Sequence, residues 1–121
     1  MDMVITLVTD PAKANLTDAR VEPAVKALAD AGASLGDITW LSRNVAVDIA
    51  FTGLDAAAAE LAVAREMPDF DRAAQPATGR RKKLLVADMD STMIQIESLD
   101  ELADALGIGK QVREITERSM R

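Results

Sequence analysis

The sequence predicts a mixed α/β (α+β) protein in two parts, and two observations support that prediction. Residues 1–75 show hydrophobic patterns in the order strand, helix, strand, strand, helix, strand. Residues 84–121 begin instead with a short, wholly apolar run and continue with helical spacing. Because the first order packs two helices on one face of an antiparallel sheet, we expect residues 1–75 to form a ferredoxin-like domain.

The first strand and the first helix follow from local signals. Met3 to Thr9 is rich in β-branched residues and ends at Asp10-Pro11, which predicts a strand followed by a break. Apolar residues recur at helical spacing from about Asp18 to Ala31. Since proline is tolerated in the first turn of a helix and not in its interior, Pro23 predicts that the regular helix begins near Glu22.

Two runs with apolar residues, the second of them strictly alternating, predict a β-hairpin with one buried face. They are Gly36 to Ser42 and Val45 to Thr52, with Arg43-Asn44 as the interruption between them. The Ala-rich stretch from Leu54 to Met67 then predicts the second helix. Asp69 to Gln75 completes the first part as a short fourth strand.

A change of composition separates the two parts. Residues 76–83 are predicted to be a linker, and we interpret its basic run, Arg80 to Lys83, as a solvated lead-in rather than an anion-binding patch. Leu84 to Ala87 predicts a central parallel strand that is buried on both faces. The run ends at Asp88-Met89-Asp90, and the carboxyl end of such a strand is where open α/β sheets bind ligands.

Two short helices are predicted after this acidic pair. Ser98 to Glu101 has the form of a helix capping box, and Gly107 is a suitable stop. Val112 and Ile115 begin a second helix. The first of these helices has an apolar stripe made of Leu99, Leu102, Ala103 and Leu106.

Composition narrows the possible functions. The chain of 121 residues has a net charge of -6, which disfavours a nucleic-acid partner because phosphate backbones are bound chiefly through clustered Lys and Arg. It contains no Cys, His or Tyr, so catalysis would have to use carboxylates, hydroxyls, Lys or Arg. No segment has the ~18 apolar residues of a membrane span, so we expect no membrane partner and a cytoplasmic location.

The acidic pair belongs to a longer motif. Asp88-Met89-Asp90-Ser91-Thr92 matches the Asp-x-Asp-x-Thr motif of haloacid-dehalogenase-like phosphatases. The continuations Met93 to Ala103 and Val112 to Arg121 resemble the stretch that follows this motif in bacterial phosphoserine phosphatases. Residues 1–75 are similar in kind to the ACT-like domain that precedes the phosphatase in many bacterial forms. The resemblance implies that residues 84–121 are the first strand and the start of the cap of an incomplete haloacid-dehalogenase-like Rossmannoid domain.

The resemblance also implies a role for each site residue in the hydrolysis of O-phospho-L-serine, the last step of serine biosynthesis. Asp88 corresponds to the nucleophile that forms an aspartyl-phosphate, and Asp90 to the general acid/base. The Asp88 carboxylate and the Asp90 backbone carbonyl would hold Mg²⁺, with a further acidic ligand that has no counterpart here. Glu97 matches the glutamate that receives the substrate's amino group. Met120 matches an apolar residue that encloses the substrate, although a place in the core of the cap is the stronger interpretation.

The later motifs of such phosphatases are not found, so we interpret the chain as a fragment that is inactive alone. Two alternatives stay open. Residues 1–75 would act without catalysis, as a regulatory module that binds an amino acid or as a module that forms a homodimer through its sheet edge. Otherwise the enzyme would act on another small phosphomonoester that bears an amino group, since Glu97 does not distinguish serine from threonine.

Overall fold

A four-stranded antiparallel sheet with two helices forms the first of the two units into which the chain divides. The computed structural model describes residues 1–119. The first unit ends at Arg81 and the second begins at Lys82. The elements of the first unit are β1 (Met3–Val8), α1 (Asp18–Asp30), β2 (Ser34–Ser42), β3 (Ala46–Thr52), α2 (Ala56–Glu66) and β4 (Asp71–Pro76). The strand order is β2-β3-β1-β4, so the prediction of mixed α/β structure with an antiparallel sheet is confirmed.

The core of the first unit lies between one face of the sheet and the two helices. Ile5 of β1 stands opposite Ile49 of β3, and both are fully buried. Alternate residues along a strand share a face, so the neighbours of these two at a spacing of two are buried with them. The sheet contributes Met3, Ile5, Leu7, Val47, Ile49 and Phe51 to the core, and the helices contribute Val21, Ala24, Leu28, Ala59 and Val63.

The first helix begins four residues earlier than the sequence predicted. It starts at Asp18, with Pro23 in its interior instead of its first turn. The amides of Arg20 and Val21 both donate to the carbonyl of Thr17, which closes the first turn ahead of the proline. A proline removes a single helical hydrogen bond. Here the carbonyl left without that donor belongs to Ala19, which is exposed, so the carbonyl is not left unpaired in a buried core.

The hairpin between β2 and β3 is confirmed, but its buried face comes mainly from β3, because Ile38 and Leu41 of β2 are 48% and 56% exposed. The amide of Val45 donates to the carbonyl of Ser42 at 3.0 Å and closes the turn. Asn44 has a φ of 60°, a left-handed conformation that asparagine tolerates better than most residues. This explains why the interruption that the sequence shows at Arg43-Asn44 is a tight turn.

The other face of the sheet has a polar contact that sequence reasoning missed. The Arg80 guanidinium donates to both oxygens of the Asp48 carboxylate, at 2.6 and 3.1 Å. Thr6, which lies opposite Asp48 in the sheet, donates its hydroxyl to the same carboxylate at 2.5 Å. The hydrogen bond to Asp48 raises the pKa of Arg80 above its ordinary value. The interpretation of the basic run as solvated is therefore wrong for Arg80.

The predicted strand in the second unit is not formed. Residues 84–87 have no regular secondary structure, and Leu84, Leu85 and Val86 are 79%, 84% and 84% exposed. A parallel strand takes its hydrogen bonds from neighbouring strands and its burial from layers on both faces. The described residues of the second unit supply no strand to pair with it. The apolar run is therefore an extended segment and not part of a sheet.

The second unit contains an irregular turn, Met89–Met93, and the helices α3 (Ser98–Ala105) and α4 (Gly109–Ser119). Gly107, with a φ of 77°, follows α3, and the amide of Ile108 donates to the carbonyl of Ala103 at 2.9 Å. Both helices and the glycine stop are thus confirmed. The predicted apolar stripe is mostly exposed, since only Ala103 of its members is buried. Across residues 1–119 no helix combines the length and the apolar character needed to cross a bilayer.

Candidate active site

Asp88 lies at the entrance to the irregular turn. Its backbone is extended, with a φ of -66° and a ψ of 156°, and its side chain is exposed. One oxygen of the carboxylate, Oδ1, accepts a hydrogen bond from the amide of Met89 at 2.8 Å. A carboxylate in this position is accessible to a ligand of the size of a phosphate ester.

The chain reverses direction immediately after Asp90. Ser91 adopts a left-handed conformation with a φ of 53°, which disfavours a non-glycine residue by roughly 1–2 kcal/mol. Two backbone hydrogen bonds hold the reversal: the amide of Ser91 donates to the carbonyl of Ile96 at 3.2 Å, and the amide of Ile94 donates to Met89 at 3.1 Å. The loop from Met89 to Ile96 is therefore closed on itself.

Asp90 is half-buried and is bound to the start of α3. Its Oδ1 accepts the hydroxyl of Ser98 at 2.8 Å, and its Oδ2 accepts the amide of Ser98 at 3.1 Å. The first amides of a helix lack a partner inside the helix, so the carboxylate caps α3 from eight residues upstream. The predicted capping box at Ser98 to Glu101 is wrong, because the Ser98 hydroxyl binds Asp90 instead of the helix backbone.

Glu97 is the residue before α3, and its side chain contacts the same loop. The hydroxyl of Ser91 donates to Glu97 Oε1 in a short hydrogen bond, and the side chain of Glu97 is half-buried. Asp90 and Glu97 therefore meet at one end of α3, each bound by a serine. Asp88 lies two residues before Asp90 along the chain, and Met120 lies outside the described residues.

The serine partners are what sequence reasoning missed. The sequence places Ser91 in the matched motif and predicts Ser98 as a helix cap, and neither pattern relates these serines to a carboxylate. Asp90 and Ser98 are eight residues apart, and no helical or strand periodicity relates positions at that distance across a loop. Only the conformation of the loop brings them together.

Two oxygen atoms of the motif are of the kind that Mg²⁺ binds. They are the exposed carboxylate of Asp88 and the backbone carbonyl of Asp90, whose side chain is already used by Ser98. Within residues 1–119 no group of three or more His, Cys, Asp or Glu side chains is arranged to hold a metal ion. The motif thus fits Mg²⁺ in donor type but supplies fewer protein ligands than an acidic cluster would.

Similarity to known proteins is concentrated in short stretches. The chain is 52% identical over 42 residues to the phosphoserine phosphatase of Archaeoglobus fulgidus and 60% identical over 37 residues to that of Vibrio cholerae. It is 46% identical over 57 residues to a probable phosphoserine phosphatase of Schizosaccharomyces pombe. These stretches cover 35%, 31% and 47% of this chain and 12%, 11% and 19% of the three relatives. The chain therefore spans less than a fifth of the length of these relatives. No protein-family model matches it.

Proposed function

We propose that the chain supplies the first catalytic motif and the beginning of the cap of a magnesium-dependent phosphoserine phosphatase. The observation that supports this best is the identity of 52–60% over stretches of 37–42 residues to proteins named phosphoserine phosphatase, in a chain that has the Asp88 to Thr92 motif. In this proposal residues 1–75 are a ferredoxin-like, ACT-like domain and residues 76–83 are the linker. Residues 84–121 begin a haloacid-dehalogenase-like domain in a cytoplasmic enzyme.

The first chemical step begins at Asp88. A carboxylate oxygen of Asp88 attacks the phosphorus of O-phosphoserine, and the bond between phosphorus and the serine oxygen breaks. Asp90 gives its proton to the departing serine oxygen, so that serine leaves as the neutral alcohol. The exposed carboxylate of Asp88 suits a nucleophile, because a buried one would be closed to the ester.

The second step returns the enzyme to its starting state. Asp90, now ionised, takes a proton from a water molecule, and the resulting hydroxide attacks the phosphorus of the aspartyl-phosphate. The bond between phosphorus and the Asp88 oxygen breaks, which releases phosphate and restores the carboxylate. When bound at Asp88 and at the carbonyl of Asp90, Mg²⁺ offsets the negative charge of the phosphoryl oxygens.

Glu97 is assigned to the substrate's amino group. An ammonium is a hydrogen-bond donor with a full charge, and it forms its strongest hydrogen bonds with carboxylates. Because Glu97 and Asp90 lie at the same end of α3, an amino acid phosphate of small size would span from one to the other. This favours O-phosphoserine over phosphate esters that lack an amine.

The test is phosphate release from O-phospho-L-serine, with and without Mg²⁺. We would compare the 121-residue chain with a chimera, called the completed enzyme, in which the chain is joined to the residues that follow the matched stretch in the Vibrio cholerae relative. The Asp88→Asn form of the completed enzyme is the matched control. We expect turnover only in the completed enzyme, with Mg²⁺ and with Asp88 present.

Absence of turnover in a folded completed enzyme would contradict the proposal. It would favour the non-catalytic alternative, in which the first unit binds an amino acid or forms a homodimer. Faster turnover of another amino-bearing phosphomonoester would support the phosphatase assignment and contradict the choice of O-phosphoserine as its substrate.

A further inference from the structure

We propose that Ser98 is a positioning residue that holds the Asp90 carboxylate against the N-terminus of α3, so that the proposed acid/base moves together with this helix. The inference rests on the proposed function, in which Asp90 transfers the proton. It assigns a role to a residue that has no place in the Asp-x-Asp-x-Thr motif.

The geometry of the contact defines the orientation of the carboxylate. Ser98 uses two different donors, its hydroxyl at 2.8 Å and its backbone amide at 3.1 Å, and each binds a different oxygen of Asp90. Two contacts from one residue determine the plane of the carboxylate as well as its distance. Both residues are half-buried, so water competes less for these hydrogen bonds than it would at a fully exposed site.

The contact leaves room for proton transfer. Each carboxylate oxygen has two lone pairs, and Ser98 occupies one on each oxygen. The proton that Asp90 gives to the leaving serine oxygen therefore resides on the side of the carboxylate that faces away from α3. Proton transfer needs an approach of about 2.6–3.2 Å, and a carboxylate that rotates freely spends little time at that distance.

The same loop connects Asp90 to the proposed amine-binding residue. The hydroxyl of Ser91, next to Asp90, donates to Glu97, next to Ser98. At the start of α3, Ser91 thus binds the carboxylate of Glu97 and Ser98 binds the carboxylate of Asp90. Binding of an ammonium to Glu97 would order this end of the helix, and through Ser98 it would order Asp90.

A purely structural role for Ser98, as a helix cap, makes a different prediction. In that case any change that loosens α3 equally would have the same effect on turnover. The helix offers a control in Leu102, which is 57% exposed in the interior of α3, where Leu102→Gly weakens the helix without removing a donor to Asp90. Ser98→Thr keeps the hydroxyl and Ser98→Ala removes it.

The first experiment measures hydrogen exchange of the Ser98 amide in the 121-residue chain, and it does not depend on activity. We expect Asp90→Ala to accelerate this exchange by about tenfold or more, because the amide loses its acceptor. Exchange of amides in α4 is the internal reference. An unchanged rate at Ser98 would show that the contact is absent in solution and would overturn the inference whatever the chain's activity.

The second experiment measures kcat and KM of the completed enzyme. We expect Ser98→Ala to lower kcat by roughly tenfold while KM changes by less than about twofold, since a misplaced acid/base affects the reaction and not substrate binding. Ser98→Thr should restore kcat to within about twofold of the parent. A loss equal to that of Leu102→Gly, or a change in KM alone, would overturn the positioning role.

The two experiments separate this inference from the proposed function. Turnover by the parent with no response to Ser98→Ala overturns the inference alone. Absence of turnover in the parent overturns the proposed function and, with it, the positioning role. Fast exchange of the Ser98 amide in Asp90→Ala would then still identify the contact as a structural helix cap.

Discussion

The two units of the chain differ in how far their apolar residues are buried. In the first unit Ile5, Leu7 and Ile49 are 0% exposed, because the strands pair with one another and two helices cover one face of the sheet. Among the described residues of the second unit, 82–119, only Ala103 and Gly109 are buried. The first unit therefore has its own core, whereas the second holds its shape through local hydrogen bonds.

This difference explains why the candidate site depends on capping contacts. Isolated helices shorter than about 12–15 residues are marginal in water. In the second unit α3 has 8 residues and α4 has 11, so neither is long enough to be stable by itself. The Asp90 carboxylate at the start of α3 and the Gly107 turn at its end stabilise this helix, as core packing stabilises the helices of the first unit. Replacing a side chain of the candidate site should thus affect turnover more than overall stability.

The largest expected effect is on turnover, from a residue that contributes nothing to a core. Asp88→Asn in the completed enzyme should lower kcat by about a thousandfold or more, because an amide is a far poorer nucleophile than a carboxylate. Because Asp88 is exposed, the free energy of unfolding should change by less than about 0.5 kcal/mol. Phosphate release and urea denaturation would measure the two quantities.

Full turnover in Asp88→Asn would contradict the nucleophile assignment. Loss of turnover together with a large loss of stability would show that Asp88 has a structural role, and it would contradict the distinction between the two units. Ser119→Ala, an exposed change at the end of α4, is the control that should leave both quantities unchanged.

The next effect is on stability, from a pair of matched truncations. Ile49→Ala in the first unit should lower its free energy of unfolding by about 2–5 kcal/mol, since it leaves a cavity in a fully buried core. Leu102→Ala, at a residue that is 57% exposed, should change that value by less than about 0.5 kcal/mol. The fluorescence of Trp40, the sole tryptophan of the chain and part of β2, reports unfolding of the first unit in urea. Equal losses in both variants would remove the distinction between the units.

These contrasts also show which features a sequence can predict. The strands and helices of the first unit were predicted because each rests on a local period, and the polar interruption at Arg43-Asn44 was sufficient to place the hairpin. The start of α1 was misplaced because the rule against an interior proline is weaker than the burial of Val21 and its neighbours. The prediction of a strand at residues 84–87 was wrong because an apolar run of this kind forms a strand only when other strands lie beside it.

The residues of the candidate site are a prediction from the motif, whereas their contacts are seen only in the structure. The motif identified Asp88 and Asp90, and the continuation identified Glu97, by similarity alone. The hydrogen bonds of Asp90 to Ser98 and of Arg80 to Asp48 join residues 8 and 32 positions apart. Such pairs follow from the path of a loop, which no residue pattern specifies.

The third prediction concerns substrate choice in the second unit. Glu97→Ala in the completed enzyme should lower kcat/KM for O-phosphoserine by about 10–100-fold and change that for an amine-free phosphate ester by less than about threefold. The reason is that, in the proposed function, only the amino-bearing substrate contacts the Glu97 carboxylate. Kinetics on the two esters, with Glu114→Ala in α4 as a control carboxylate, would measure this selectivity. Equal losses on both esters would remove the proposed ammonium contact.

The fourth prediction compares neighbouring arginines in the basic run. Arg80→Ala should destabilise the first unit by about 1–3 kcal/mol, because it leaves the carboxylate of Asp48, which is 9% exposed, without its charged partner. Arg81→Ala, at an exposed residue, should have an effect below about 0.5 kcal/mol. Urea denaturation followed by Trp40 fluorescence would compare them. Small and similar effects of the two substitutions on stability would support the interpretation of Arg80 as a solvated residue.

The smallest effect is a pH dependence confined to the second unit. Arg113 on α4 donates to the Asp104 carboxylate at 2.7 Å and holds the pKa of Asp104 below its usual range. A carboxyl with a lowered pKa stabilises the folded form above its unfolded pKa of about 3.9, and this contribution is lost as the pH falls through the lowered value. Helicity of the second unit should therefore fall slightly more between pH 5 and 2 in the parent than in Asp104→Asn, which has no such proton to bind. Circular dichroism of the two proteins over that range would measure the difference. Identical curves would mean that the exposed pair contributes nothing measurable to the helicity of the second unit.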